Sequence, residues 1–232
     1  MQDQRVNPAA GDNEAIRLAS EKGHIRVVER LLQEKRVNPA VKNNYTIRIA
    51  SEKGHIKVVD RLLQDERVDP SALYNYAIRF ASINGYIEVV DRLLRDKRVH
   101  PSDKENDAII SAIQRGHFKV IDRLLEDKRF VPDNYLIIMA SAYGLVDVVD
   151  KVLQDKHVDP SVDHNEAIRS AHKNRHYAVM RRLLQDRRVS KTLSSDEIKM
   201  YKNIVDSTIG WVNEKEPVTG IKSLVHNWRI RR

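Results

Sequence analysis

The chain has 232 residues, a formal net charge of +8 and no cysteine, which leaves no disulfide framework and no Cys-based zinc site. No run approaches the ~18 consecutive apolar residues of a membrane span. The start, MQDQRVNPAAGDNEA, lacks the apolar stretch of a secretory leader, so an intracellular protein, cytoplasmic or nuclear, is expected.

Residues 1–12 read as a connector, because Arg5-Val6-Asn7-Pro8 matches Arg36-Val37-Asn38-Pro39 further on. No helix pair precedes it, and the expectation is a piece of a longer repeat array rather than a minimal cap. From residue 13 the chain repeats itself. NEAIRLASEKGHIRVVERLLQEKRVNP is followed by NYTIRIASEKGHIKVVDRLLQDERVDP and NYAIRFASINGYIEVVDRLLRDKRVHP, and weaker copies begin at Asn106, Asn134 and Asn165. The Asn, Gly and Pro landmarks step by 31 residues, except between copies four and five, where the step is 28. The asparagines are read as helix N-caps, whose side-chain oxygen would accept an orphan N–H. Ala15, Ile16, Leu18 and Ala19 give a short apolar face. Gly23 supplies the left-handed residue that ends a helix. Ile25, Val28, Leu31 and Leu32 form one stripe of a second helix, and Pro39 closes the unit. Such pairs bury their apolar faces only by stacking on one another.

Copies one to three are the most regular. Copy four has Ile110 where copies one to three and six have Arg. Copy five follows a connector shortened by three residues, which should interrupt the row of connector tips, with Tyr135 and Tyr143 lining the gap. Copy six has Arg175 in place of Gly, as suits a terminal repeat. Beyond it the period breaks. Ser194 or Ser195 followed by Asp196 and Glu197 marks a helix start. Ile198, Tyr201, Ile204, Val205, Ile209 and Trp211 give an amphipathic helix, and the chain ends in Trp228-Arg229-Ile230-Arg231-Arg232. Two domains are therefore expected, a repeat domain over 1–189 and a helical cap with a basic tail over 190–232. Residues 187–232 carry twice as many cations as carboxylates, whereas residues 1–186 are nearly balanced.

The segments GHIRVVERLL, GHIKVVDRLL and GHFKVIDRLL resemble the second helix of an ankyrin repeat, and LAS and IAS resemble the end of its first helix. The resemblance covers roughly residues 5–189 and is to a short 31-residue variant, similar to repeats of large DNA viruses of amoebae, of protists and of some fungi. The Thr-Pro-Leu-His signature is replaced by sequences such as Glu14-Ala15-Ile16-Arg17, and the repeat is two residues short of the usual ~33. The resemblance implies an all-α solenoid of about six stacked helix-turn-helix units with short or absent β-hairpin fingers. It also implies a non-enzymatic scaffold that binds another protein on connector tips and first helices. A monomer that binds no membrane is expected.

Candidate residues follow from that frame. Arg17, Arg48, Arg79 and Arg169 form a ladder that either meets an acidic partner or ties adjacent connectors together. Asp60-Arg61, Asp91-Arg92 and Asp122-Arg123 are read as a solvated face. His24, His55 and His117 follow the repeat Gly and are read as structural. His172 and His176, four apart, lack a third ligand, so no metal site is assigned. No nucleophile, phosphate loop or carboxylate pair stands in a recognisable setting, so neither catalysis nor a cofactor is assigned. Positions that vary between copies are the candidates for partner binding: Lys53, Leu73, Tyr74, Ile83, Asn84 and Tyr86, then Asp103, Lys104, Gln114, Arg115, Tyr135 and Tyr143. Copy three stands out, because Leu73, Tyr74, Ile83 and Tyr86 are apolar or aromatic where its neighbours are mostly polar. Two further readings concern the C-terminal part. Leu193-Ser194-Ser195-Asp196-Glu197-Ile198 resembles the start of the F-box-like motif with which viral ankyrin proteins recruit a ubiquitin ligase, but lacks its Pro. The basic tail with Trp228 could bind single-stranded nucleic acid.

Overall fold

The computed structural model describes residues 7–208, and among them all regular structure is helical. Contacts divide the chain into two units, Met1–Val131 and Pro132–Arg232.

The first unit holds four helix pairs: α1 (Ala10–Glu21) with α2 (Ile25–Leu32), α3 (Val41–Glu52) with α4 (Ile56–Leu63), α5 (Ala72–Ile83) with α6 (Ile87–Leu94), and α7 (Asp103–Arg115) with α8 (Phe118–Glu126). First helices stack on first helices and second on second, in chain order. The second unit holds α9 (Asn134–Ala142), α10 (Val146–Leu153), α11 (Val162–Lys173) and α12 (Tyr177–Gln185), then the single turn α13 (Arg187–Ser190) and α14 (Ser195–Ser207), which packs on α12.

The sequence period explains the core. Ile16, Ile47, Ile78, Ile109, Ile137 and Ile168 hold one register position, and all six are fully buried. Burial of such a side chain contributes about 1.5–3 kcal/mol, which a lone helix pair could not collect on both faces. Gly23, Gly54 and Gly85 adopt φ of 73°, 76° and 73° at the turn between helices, where a side chain would be strained. In copy six Arg175 carries this strain at φ 63°.

The asparagines are not N-caps. Asn13, Asn44, Asn75, Asn106 and Asn165 are each the third of three consecutive left-handed residues that precede the regular helix, a conformation Asn tolerates. Several of their side chains instead reach the next connector. Asn13 Oδ1 accepts the Asn38 N–H (2.7 Å), Asn44 that of Asp69 (2.8 Å) and Asn75 that of His100 (2.9 Å). Copy five shows what the shortened connector removes. It has no left-handed turn, and its chain enters α9 extended at Asp133, whose carboxylate caps the Leu136 N–H at 2.8 Å. There Asn134 does not cap the helix either, and accepts the Asp159 N–H at 2.7 Å.

A second set of inter-repeat ties comes from an Asp-x-Arg motif. Arg67, Arg98 and Arg129 are each held by the Asp two residues earlier and donate to the carbonyls of Val37, Val68 and Val99, one repeat back, at 2.8 Å. Arg188 does the same with Asp186 and Val158 in the second unit. The C-terminal helix begins as its sequence predicts. Ser194 and Glu197 form a reciprocal capping box, and Tyr201 and Val205 are buried. Ile209, Trp211 and everything after them lie outside the described residues.

Candidate functional site

The left-handed turns are the connector tips, and they recur as Gly11-Asp12-Asn13, Lys42-Asn43-Asn44, Leu73-Tyr74-Asn75 and Lys104-Glu105-Asn106 in the first unit. Three carry polar or small residues in their first two places. The third carries Leu73 and Tyr74, which are 43% and 71% exposed. A Cβ-bearing residue in this conformation costs roughly 1–2 kcal/mol, and Asn or Gly would adopt it more readily. Copy three therefore keeps two large apolar side chains in solvent on backbone that disfavours them.

The remaining predicted positions divide by what holds them. Lys53, Lys104, Gln114 and Arg115 are exposed. Asp103 accepts Asn75 Nδ2 at 2.5 Å, tying two tips together. Asn84 Nδ2 donates to the carbonyls of Phe80 and Glu52, at 2.9 and 3.2 Å. Ile83 is half-buried, and its carbonyl lies 3.0 Å from His117 Nε2. The Tyr86 ring covers Gly54 so closely that a Cβ there would lie 2.8 Å from it. Tyr86 thus stands in for the His of other copies, and part of its ring is committed to stacking. In the second unit Tyr135 and Tyr143 are both exposed.

The histidines have structural partners. His55 Nε2 lies 2.8 Å from the Glu21 carbonyl, and His176 Nε2 lies 3.0 Å from that of Ala142. His172 meets the Tyr201 ring edge-on at 5.4 Å. Among the described residues no group of three His, Cys, Asp or Glu could hold a metal, and no helix is long and apolar enough to cross a membrane.

The arginine ladder works differently from either reading of the sequence. Arg17 donates to the carbonyls of Asp12 and Gly11, Arg48 to those of Asn43 and Lys42, and Arg169 to that of Asp163. Each braces the left-handed turn of its own repeat instead of bridging to a neighbour's connector. Arg79 lies 3.5 Å from the Leu73 and Tyr74 carbonyls and also pairs with Asp107 at 2.6 Å. Between the arginines stand Tyr45 and Tyr76. Arg17 and Arg48 lie 5.8 and 5.7 Å from the Tyr45 centroid, and Arg48 lies 4.9 Å from that of Tyr76, so Arg48 is flanked by two rings. Tyr76 also stacks on Phe80 and donates to Glu52 at 2.7 Å. Its phenol is pushed up to about 12, first by burial and then by the Glu52 hydrogen bond. The aspartates of the second helices are likewise not simply solvated, for Arg92 pairs with Asp60 and Arg123 with Asp91, one repeat back. Sequence reasoning missed Tyr45 and Tyr76, although both stand directly after the repeat Asn and could have been found by aligning the copies.

Residues 47–134 match a family model described as ankyrin repeats, three copies. Among solved structures the chain is similar to the crystal structure of the human ASB11 ankyrin repeat domain. The identity is 18% over 78% of this chain and 84% of that one, with a TM-score of 0.52, a likeness of fold. No curated protein matches the chain by sequence.

Proposed function

From a chain that carries ankyrin repeats, a scaffold for protein–protein interaction, we propose a non-enzymatic module that binds a partner protein on the connector tips and first helices of repeats two to four. One observation carries this reading. Leu73 and Tyr74 are large, exposed and seated on a left-handed turn, while the same two places hold Lys42-Asn43 and Lys104-Glu105 in the flanking repeats. Lys42, Lys104 and Glu105 adopt the same left-handed conformation, so what sets copy three apart is the exposed apolar chemistry of its tip. Tyr is also an amphipathic anchor with little rotamer entropy to lose. Lys53, Gln114 and Arg115 would make the polar rim, and Ile83, Asn84 and Tyr86 support the first helices from behind.

The test is a double variant, Leu73→Asn with Tyr74→Asn, used as bait in extracts of the native cell. Loss of the wild-type partner with helicity retained supports the surface. Full retention of the partner by the folded variant removes it. The ligase-adaptor reading finds less support. Leu193 is buried, Ser194 is spent on the capping box, and the helix that follows covers α12. The tail invoked for nucleic acid lies outside the described residues, and nothing else favours that reading.

A further inference from the structure

The arginines of the ladder are not equally neutralised. Arg79 pairs with Asp107 of the next repeat, and Arg169 with Glu166 of its own, both at 2.6 Å. Arg48 forms no ion pair among the described residues, although described repeats stand on both sides of it. The place that Asp107 takes against Arg79 is held against Arg48 by Tyr76, at the same register position one repeat earlier. Tyr76 offers a ring face 4.9 Å away and no carboxylate. The guanidinium is fixed all the same. Its Nε and Nη2 donate to the carbonyls of Asn43 and Lys42 at 2.8 and 3.1 Å, and the rings of Tyr45 and Tyr76 flank it. Its Nη1 meets no acceptor among the described residues, and the side chain is only half-buried. An incoming carboxylate would meet a fork whose rotamer freedom is already gone.

The surroundings of Arg48 are positive as well. The tip and first helix of copy two carry Lys42, Arg48 and Lys53 against the single carboxylate of Glu52. Glu52 is committed to the Tyr76 hydroxyl at 2.7 Å and stands 3.6 Å from Lys53. Lys42 is half-exposed and reaches only Asp12, at 3.9 Å. The same stretch of copy four has the opposite balance, with Asp103, Glu105 and Asp107 against Lys104 and Arg115. The positive strip of copy two thus adjoins α5, which carries Leu73 and Tyr74 near its start and Tyr76 against Arg48.

We propose that the partner is a protein segment that combines an apolar residue with carboxylates. The apolar residue seats on Leu73 and Tyr74, and a Glu or Asp makes an ion pair with Arg48. This rests on the partner-binding reading above and adds the chemistry of the partner. The pairing gives Arg48 the counter-charge that Asp107 gives Arg79, and complementary charge fixes the register of the segment on the repeats.

A phage-displayed library of random short peptides, selected on the full chain at low salt, tests this. The expected binders are enriched in Asp and Glu beside Leu, Phe or Trp, and their binding weakens as salt rises. A selected peptide should bind Arg48→Gln at least about tenfold more weakly. Tyr76→Asp places a carboxylate where Asp107 stands against Arg79, so it should weaken binding similarly with Arg48 intact. Lys42→Glu should weaken it by a smaller factor. These two variants keep the test valid if Arg48→Gln loosens the turn that Arg48 braces. Binders without acidic enrichment overturn the proposal. So do binders indifferent to Arg48→Gln and Tyr76→Asp, a library that yields no binder, or equal competition by a single-stranded oligonucleotide, which would show a surface for any polyanion. Binders that lose affinity for the Leu73→Asn, Tyr74→Asn variant but not for Arg48→Gln overturn this inference and leave the connector-tip reading standing. Binders that need Arg48 but not the tip remove that reading and leave the carboxylate contact.

Discussion

Tyr74 offers a measurement in which stability and binding should move in opposite directions. Its backbone sits at φ 56°, ψ 53°, and its side chain is 71% exposed, so truncation gives up little burial. The left-handed conformation costs an ordinary residue roughly 1–2 kcal/mol, and Ala carries the same penalty because it also has a Cβ. Gly escapes it and gives back about 0.5–1 kcal/mol in chain entropy, while Asn escapes part of it without that loss. Tyr74→Ala should therefore be neutral to slightly destabilising, and Tyr74→Asn should lie about 1 kcal/mol above Ala, with Gly between them. The carbonyl of residue 74 keeps its contact with Arg79 in every variant, so the comparison isolates the backbone. Urea titrations followed by helix ellipticity give the ranking, read from midpoints at unchanged slope because repeat arrays need not unfold in one step. If Ala proves as stable as Asn, the left-handed turn costs nothing at this residue, and the reasoning from backbone strain fails.

Other outcomes follow from the ties between repeats. The hydroxyls of Ser20, Ser51, Ser82 and Ser141 are buried with no hydrogen-bond partner, and copy four places Ile113 at the same position, so Ser82→Ala should raise stability by about 1 kcal/mol in chemical denaturation. Gly85→Ala would combine a φ of 73° with a Cβ 2.6 Å from His117 Nδ1, and thermal melts should register a loss of about 2–4 kcal/mol. Asp65, Asp96, Asp127 and Asp186 are held below the usual carboxylate range, chiefly by hydrogen bonds from the Arg two residues on. Because the folded value is depressed, this stability is present above the unfolded value of 3.8 and is lost as pH falls through the folded one. Denaturation midpoints should accordingly drop below about pH 4, and Asp96→Asn should be less stable at neutral pH but show a shallower acid limb. An unchanged acid limb would mean that the Asp-x-Arg ties are not formed in solution.

The sequence alone was enough for the period, the helix pairs, the glycine turns and a helix start at Ser194 or Ser195, of which the structure uses Ser194. Each depends on residues within one or two helical turns of each other, so spacing carries the information. It was also enough to single out Leu73 and Tyr74, because an apolar residue at a place that is polar in neighbouring copies stands out in one dimension. What it misassigned or missed includes the repeat Asn and the Asp-x-Arg arginines, whose partners lie 25 and 30 residues away, and Arg17 and Arg48, which reach carbonyls five and six residues back. The repeat Asn looked like a cap, since a capping oxygen is locally plausible, yet stacking brings the next connector's N–H nearer. Arg17 and Arg48 looked like links between repeats, yet the left-handed turn presents its carbonyls to the helix that follows. Arg67 and Arg98 went unnoticed although they are the links. Asn84 and Tyr86 read as surface and are exposed, though each also contacts the preceding repeat, and Ile83 is half-buried. Val27 and Val58 are the same residue in nearly the same sequence, yet among the described residues only Val58 has a preceding helix pair against it, so one is 47% and the other 1% exposed, a difference that stacking sets and local sequence does not.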